Sequence, residues 1–531
     1  MKKPTIRHEV VEHVTPEGYT ELVYADRPKS VPDMLNNTVS KYGNREGLIS
    51  SSERLTYKQF ASAVNNMSSA LYHEYGIRKG DRVALMLSNG LEFAITFFSV
   101  VKLGGIAVPI NTAFKGGELA YQVNDSGAVV LVVEPEFHDL IAEVRSEIEC
   151  VKHLFVTGDQ PPKGTLAFSQ LLKERSYMPL DIKVDETDGA VLMYTSGTTG
   201  RPKGALLLHK GMVAAAIDVD EWFDWRVADK MLLTVPLFHV TALAMILCSS
   251  IYAGVPLVLM KKFKAADALR VIEEERITAM IVVPTIIWLM LNAPEFDQYD
   301  LSSLRMVAPG GAASTEALLK LCAEKLPSVE LVPGYGLTEA TGVTHSTTTL
   351  REALSKIGSV GHPVPVIEAK IVDALGKELA PGESGELLVK GCQVFREYWN
   401  NPEATRNTLV GGWLHTGDVA KITEDGHTYI LDRMKDMIIR GGENIYCIEI
   451  ENVSLRNPKV LEAAVVGVPD SVFGEQVKSV LVLKPGEQAT VEEIQEFYSK
   501  YLARYKVPKY VEFRESLPRN PAGKVIKEKL K

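Results

Sequence analysis

Unbroken apolar runs recur along the first 360 positions: RVALML (82–87), GIAVPI (105–110), AVVLVVE (128–134), MIVVP (280–284) and MVAPGG (306–311). Between them lie stretches with helical spacing, such as FAITFFSVVKLG (93–104) and AADALRVIEEERI (265–277). Runs of this kind fit strands covered on both faces, and their alternation with helices predicts α/β layers around a mainly parallel sheet. From Gly358 to about Ile430 the pattern changes to short strands and turns, as in EAKIVDALGKELAPGESGELLVKG, which predicts a smaller antiparallel piece. A third region begins near Asp432, with strands at AAVVGV and SVLVLK and a helix opened by the capping box Thr490 to Glu493.

One apolar stretch needs a membrane test, because Met231 to Met260 runs for 30 residues without Asp, Glu, Lys or Arg. That length would span a bilayer. Pro236, His239, Ser249, Ser250, Gly254 and Pro256 interrupt it, so it reads as a loop at PLFH, a buried helix through TALAMILCSSIYA and a core strand at PLVLM.

Composition narrows the function classes. At 531 residues the chain exceeds the roughly 250–300 at which one core stops growing, so two or more domains are expected. A formal charge of −9 leaves no electrostatic footprint for nucleic acid. Five scattered cysteines without a C-x-x-C suggest neither a disulfide framework nor a zinc site, and a reducing cytoplasm fits them. The MKKPTIRHEVVEH start lacks the apolar segment of a secretory signal, and the KEKLK end matches no sorting or lipidation signal. HEVVEH is one residue too long for a zinc H-E-x-x-H and reads as an element surface.

The candidate chemistry starts at YTSGTTGRPKG (194–204), which has five hydroxyls, three glycines, two cations and no acid. Converging backbone N–H groups, hydroxyls and a lysine suit an anion, and phosphate is the natural candidate. Pro202 and Gly204 flank Lys203, so the Walker A spacing is absent, and the strand-like flanks predict a loop between two strands. A ligand-free Gly/Thr hairpin is the plain alternative. Further polar, glycine-bearing stretches follow: PGGAAST (309–315), GYGLTEAT (334–341), GWLHTGD (412–418), DRMKDMIIRGGENIY (432–446) and PRNPAGK (518–524).

Together, in this order, these motifs resemble those of the adenylate-forming superfamily of acyl-CoA synthetases, aryl-CoA ligases, luciferases and peptide-synthetase adenylation domains, most closely an acyl-CoA synthetase. The resemblance runs from about Leu55 to Lys531. It implies an α/β fold: a large N-terminal adenylation domain (1–431) of layered α/β subdomains plus a small antiparallel β subdomain, and a small mobile α+β C-terminal domain (432–531). It implies phosphate binding by Thr195, Ser196, Gly197, Thr198, Thr199, Gly200 and Lys203. Gly311, Ala312, Tyr335 and Gly336 would hold adenine, and Thr338 and Glu339 would serve phosphate and Mg²⁺, with Glu339 the metal ligand. Asp418 and Arg433 would grip the ribose, and Lys524 would be the adenylation lysine. Lys435 would be the hinge, and Gly441 and Gly442 would enter the site for thioester formation. Cys447 stands where the family often has proline and reads as a small buried hydrophobe.

The implied reaction is ATP-dependent acyl-CoA synthesis through acyl-AMP, with ATP, Mg²⁺ and coenzyme A and a domain rotation between half-reactions. His239 of PLFH would border the acyl group. No carboxylate near it would pair with an ammonium, which suggests a short- or medium-chain, alicyclic or aromatic acid. The expected partners are small molecules, with no nucleic acid and no transmembrane segment, and a homodimer is allowed for. Two other readings stay open: an acyl-AMP ligase that loads a carrier protein, and a nucleotide-binding protein without catalysis.

Overall fold

The computed structural model describes residues 7–158, 161–178, 180–195, 201–312, 314–519 and 525–531. Among them, two seven-stranded sheets form the bulk of the chain. The first runs in the order Lys203–Leu208, Gly189–Thr195, Ile106–Pro109, Arg82–Met86, Val130–Val133, His153–Val156, Leu166–Ala167. All its pairs are parallel except the first, which is an antiparallel hairpin. The second runs Glu330–Leu331, Met306–Pro309, Ala279–Val282, Met231–Leu233, Leu257–Leu259, Glu46–Ile49, Arg54–Thr56, parallel apart from its last pair.

Helices between these sheets are apolar all round, as a doubly covered layer requires. In Leu91–Lys102 every residue except Glu92 and Lys102 is buried. The uncharged stretch resolves as a strand, then a π-helix Thr241–Cys248 continuing as an α-helix to Ala253, then the strand Leu257–Leu259. No helix among the described residues is long and apolar enough to cross a membrane. Helix His209–Phe223 buries Asp218, which accepts from the Tyr24 hydroxyl at 2.6 Å and from the Gln393 amide. Burial pushes the Asp218 carboxyl up to about 8.

The third sheet is antiparallel and eight-stranded, and it begins earlier than the turn-rich pattern predicts, at Gly334 rather than Gly358. A single 3₁₀ turn at Thr338–Ala340 reverses the chain, so Gly334–Leu337 pairs with Gly342–Ser346 and joins this sheet. Register shifts at Tyr335/Gly336, Ser359/Gly361 and Val419/Ala420 curl it. Two glycines are sterically required: a Cβ on Gly336 would lie 1.8 Å from the Gly342 oxygen, and one on Gly361 1.8 Å from the Ser346 oxygen.

The last sheet has five strands, not the two expected: Ile438–Arg440, Glu443–Ile445, Val460–Asp470, Gly474–Leu483 and Tyr510–Phe513. The three additional strands are short and lack a continuous apolar run. Helix Val491–Ser499 carries the predicted capping box with both reciprocal hydrogen bonds formed. HEVVEH is an edge of the two-stranded sheet Val10–Val14 and Thr20–Tyr24.

Candidate functional site

The hairpin of the first sheet places Thr195 opposite Lys203, so the glycine-rich segment joins two antiparallel strands. Ser196, Gly197, Thr198, Thr199 and Gly200 lie outside the described residues. Tyr194, the residue before Thr195, donates its hydroxyl to Asp125 at 2.6 Å, which braces the strand end. Lys203 Nζ lies 5.0 Å from the centre of the Tyr398 ring.

Across from this strand end, the 3₁₀ turn at Thr338–Ala340 brings Glu339 against both elements. Its Oε1 accepts from the Tyr398 hydroxyl at 2.7 Å and from Thr195 Oγ1 at 3.5 Å. The Glu339 carbonyl accepts from Phe395 N–H at 2.8 Å, which ties the turn to the chain just beyond the strand Ser384–Gly391. Thr341 closes the turn in the left-handed region, at φ +53°. Tyr398 was not anticipated, because REYWNN has neither glycine spacing nor a motif to mark it.

A second polar centre forms on the curled sheet. Asp418 and Arg433 are direct cross-strand partners, with Arg433 Nε 2.6 Å from Asp418 Oδ1. Tyr335, four strands away in sheet order, donates its hydroxyl to the other Asp418 oxygen. Only curvature brings those strands together. Thr416 Oγ1 accepts from the Asp418 backbone N–H at 3.1 Å and fixes the turn that presents the carboxylate. Burial, and then the Asp418 charge, raises the Tyr335 phenol well above its ordinary range, so it stays protonated and donating. Arg433 also feels the charge of Glu339, so the two centres are neighbours.

A cavity of about 1010 Å³ opens beside the Thr195–Glu339 centre and is lined by Thr195, Thr338, Phe238, His239, Met193 and Tyr121 among others. The rings of Phe238 and His239 lie 4.7 Å apart. The residues next to His239 in sequence carry no carboxylate, but Glu118, Asp125 and Glu147 reach the same cavity from other elements. Glu118 accepts from the Lys115 backbone N–H at 2.9 Å, and Asp125 from Tyr194.

Gly311 and Ala312 follow the strand Met306–Pro309, exposed at its end. A Cβ on neighbouring Gly310 would lie 3.5 Å from the Gly334 oxygen, so this turn abuts the start of the Tyr335 strand. Lys435 is exposed on the segment between the third and last sheets. Gly441 and Gly442 form the turn between Ile438–Arg440 and Glu443–Ile445, with φ of +60° and +90°. The Gly441 N–H donates to the Phe473 carbonyl at 2.8 Å. Cys447 is fully buried, its Sγ 3.0 Å from the Asp436 carbonyl, and burial raises its thiol. Lys524 lies outside the described residues.

Comparison with known proteins gives two family matches: the AMP-binding enzyme model over residues 35–399 and the AMP-binding enzyme C-terminal domain over 449–524. The chain is 37% identical over 486 residues to the long-chain-fatty-acid–CoA ligase FadD13 of Mycobacterium tuberculosis, covering 90% of this chain and 93% of that protein. It resembles the crystal structure of the anthranilate CoA ligase AuaEII with anthranoyl-AMP, at TM-score 0.88 and 31% identity over 94% of this chain and 96% of that one. It also resembles Bacillus subtilis o-succinylbenzoate CoA synthetase (MenE) with ATP and magnesium, at TM-score 0.82 and 30% identity over 94% and 98% of the two chains.

Proposed function

The chain belongs to the AMP-binding enzymes and is an ATP-dependent acyl-CoA synthetase, and from that premise we propose that it activates an apolar monocarboxylic acid and transfers it to coenzyme A. The observation that carries this reading is the presence of two polar centres, Tyr335–Asp418–Arg433 and Thr195–Glu339–Tyr398, the second of which borders the cavity through Thr195.

In this reading, the Asp418 carboxylate accepts from the ribose hydroxyls while Arg433 holds it in place, and the Tyr335 ring supports the adenine edge beside Gly311, Ala312 and Gly336. The loop from Thr195 through Ser196, Gly197, Thr198, Thr199 and Gly200 to Lys203 holds the β- and γ-phosphates. Thr338 reaches the α-phosphate. A carboxylate flanked by two hydroxyls suits a hard cation that takes one or two carboxylates together with substrate phosphates, so Glu339 fits Mg²⁺. That ion, when bound, offsets phosphate charge.

The substrate carboxylate attacks the α-phosphorus, an acyl–phosphate bond forms and pyrophosphate leaves. Lys524 stabilises the charge on the phosphoryl oxygens as this happens. The thiol sulfur of CoA then attacks the acyl carbonyl carbon, its proton is lost, and AMP leaves. In the same reading Lys435 is the hinge of a mobile unit; its place on the segment 434–437, between the strands Thr428–Arg433 and Ile438–Arg440, supports that role. Gly441 and Gly442 pack against the pantetheine arm in the second step.

His239 and Phe238 border the acyl chain. Phe238 and Met193 on the cavity wall and the names of the relatives, which span fatty and aryl acids, support an apolar acid. Five free cysteines support a cytoplasmic setting. The test is ATP–pyrophosphate exchange with a panel of straight-chain, alicyclic and aromatic acids, each repeated for thioester with CoA. Exchange and thioester with one acid class are expected. Exchange without thioester would assign a carrier-protein acceptor, and no exchange with any acid would leave a nucleotide-binding protein.

A further inference from the structure

On the third sheet, outside the residues assigned above, Glu352, His362 and His427 converge so that one ligand atom from each lies within 4.8 Å of the others. We propose that these three side chains form a site for a borderline-soft divalent cation, of which Zn²⁺ is the type. Nothing in the adenylation chemistry uses them.

The elements that meet here are separate in sequence. Glu352 sits on the short helix Leu350–Ser355, His362 on the strand Ser359–Pro363, and His427 at the entry to the strand Thr428–Arg433. Glu352 Oε1 lies 3.2 Å from His427 Nε2 and 3.9 Å from His362 Nε2. Tetrahedral coordination at Zn–N and Zn–O lengths near 2.0–2.1 Å requires donor–donor separations of about 3.3–3.4 Å. The two measured separations bracket that value. Only His362, whose side chain is 40% exposed, must swing to complete the set; Glu352 and His427 are buried and held.

The surrounding contacts prepare the donors. Glu352 Oε2 accepts from the Thr348 N–H at 2.8 Å and from its hydroxyl at 2.7 Å, which turns Oε1 toward the imidazoles. His427 Nδ1 is buried without an aligned hydrogen-bond partner among the described residues, yet Asp425 Oδ2 lies 3.2 Å away. In the metal-free chain His427 Nε2–H donates to Glu352 Oε1, so an ion that takes both atoms displaces that proton, and Asp425 stands close enough to Nδ1 to support the ring once its proton moves there. Lys356 and Thr423 hold Asp425, at 2.6 Å each. Gly426 makes room for the second ring: a Cβ there would come within 3.1 Å of His362 Nδ1.

The donor set decides the ion. Two imidazole nitrogens and one carboxylate suit Zn²⁺, Ni²⁺ or Cu²⁺ rather than Mg²⁺, which takes oxygen ligands. With three protein ligands, the fourth position falls to water on the exposed His362 side. The bound ion clamps a helix and two adjacent strands of the third sheet, one of them the strand that ends at Arg433, so its effect is on the stability of that sheet.

The test uses the untagged full chain stripped with chelator, titrated with Co²⁺ and separately with Zn²⁺ against a fluorescent chelator. One ion per chain is expected, with visible ligand-field bands of nitrogen/oxygen coordination and a thermal midpoint raised by Zn²⁺ but not by equal Mg²⁺. His362→Gln, at the exposed ligand, is expected to keep the metal-free midpoint and lose at least tenfold in affinity; Glu352→Gln is expected to lose as much. No uptake, affinity unchanged in both variants, or sulfur-to-cobalt charge-transfer bands would each overturn the site, the last by assigning the ion to a cysteine.

Discussion

Asp418 shows how much one side chain is asked to do in the proposed nucleotide site. It is buried, receives the Tyr335 hydroxyl and pairs with Arg433 across the strand. In the proposed role it must still reach the ribose. Hydrogen bonds to a charged group are worth about 1.5–3 kcal/mol, so Asp418→Ala is expected to raise the KM for ATP about 10- to 100-fold in the exchange assay. An unchanged KM would remove it from the ribose. Asp218 makes a prediction of a different kind. Its carboxyl stands at about 8 in the folded chain against an ordinary 3.8. Between those values the folded state holds a proton that the unfolded state has released, so stability falls as pH rises from about 4 to about 8, by at most about 1.4 kcal/mol per pH unit. Asp218→Asn, which cannot ionise, is expected to flatten that slope in thermal denaturation between pH 5 and 8. An equally steep slope in the variant would assign it to other groups.

At the scale of elements, short-range chemistry explains where helices begin better than where strands pair. The Thr490–Glu493 capping box follows from four residues alone, and both of its bonds form. Thr490→Ala is expected to cost about 1 kcal/mol, read as a lower denaturant midpoint for the last sheet and its helices. The strand Gly334–Leu337 is the opposite case. Its residues carry no apolar alternation, and it is a strand because Gly336 lets the Gly342 backbone approach. Gly336→Ala would place a methyl carbon 1.8 Å from the Gly342 oxygen. That turn carries Thr338 and Glu339, so the variant is expected to lose exchange activity together with stability, a combined loss measurable by assay and calorimetry.

The whole molecule raises the question of how one site serves two reactions. The side chains proposed to hold the nucleotide all precede Met434 in the chain, whereas Lys524 and the Gly441–Gly442 turn follow Ile438. If that region turns about residues 434–437, variants on its two faces must separate the half-reactions. Lys524→Ala is expected to slow pyrophosphate exchange by about 10²- to 10³-fold, the loss typical of a missing charge-stabilising group, while ATP binding survives. Gly442→Ala, at φ +90°, forces strain of about 1–3 kcal/mol onto the turn and is expected to impair thioester formation far more than exchange. Equal loss of both steps in either variant would contradict a rotating unit.

The amino-acid sequence by itself determined the layered α/β class, the change to antiparallel texture, the buried reading of Met231 to Met260 and the order of the glycine-bearing motifs. Each depends on residue type at short spacing: apolar runs mark covered strands, and glycines with hydroxyls mark loops that approach ligands. Tertiary structure alone decided that Tyr398 meets Glu339, that Tyr335 reaches Asp418 past three intervening strands, and that Glu352, His362 and His427 share one place. Those meetings depend on sheet curvature and register, which arise from bulges and close backbone approaches between segments far apart in sequence. No local pattern carries that information, because each of these residues, taken with its own neighbours, is an ordinary polar side chain on a strand, a turn or a short helix.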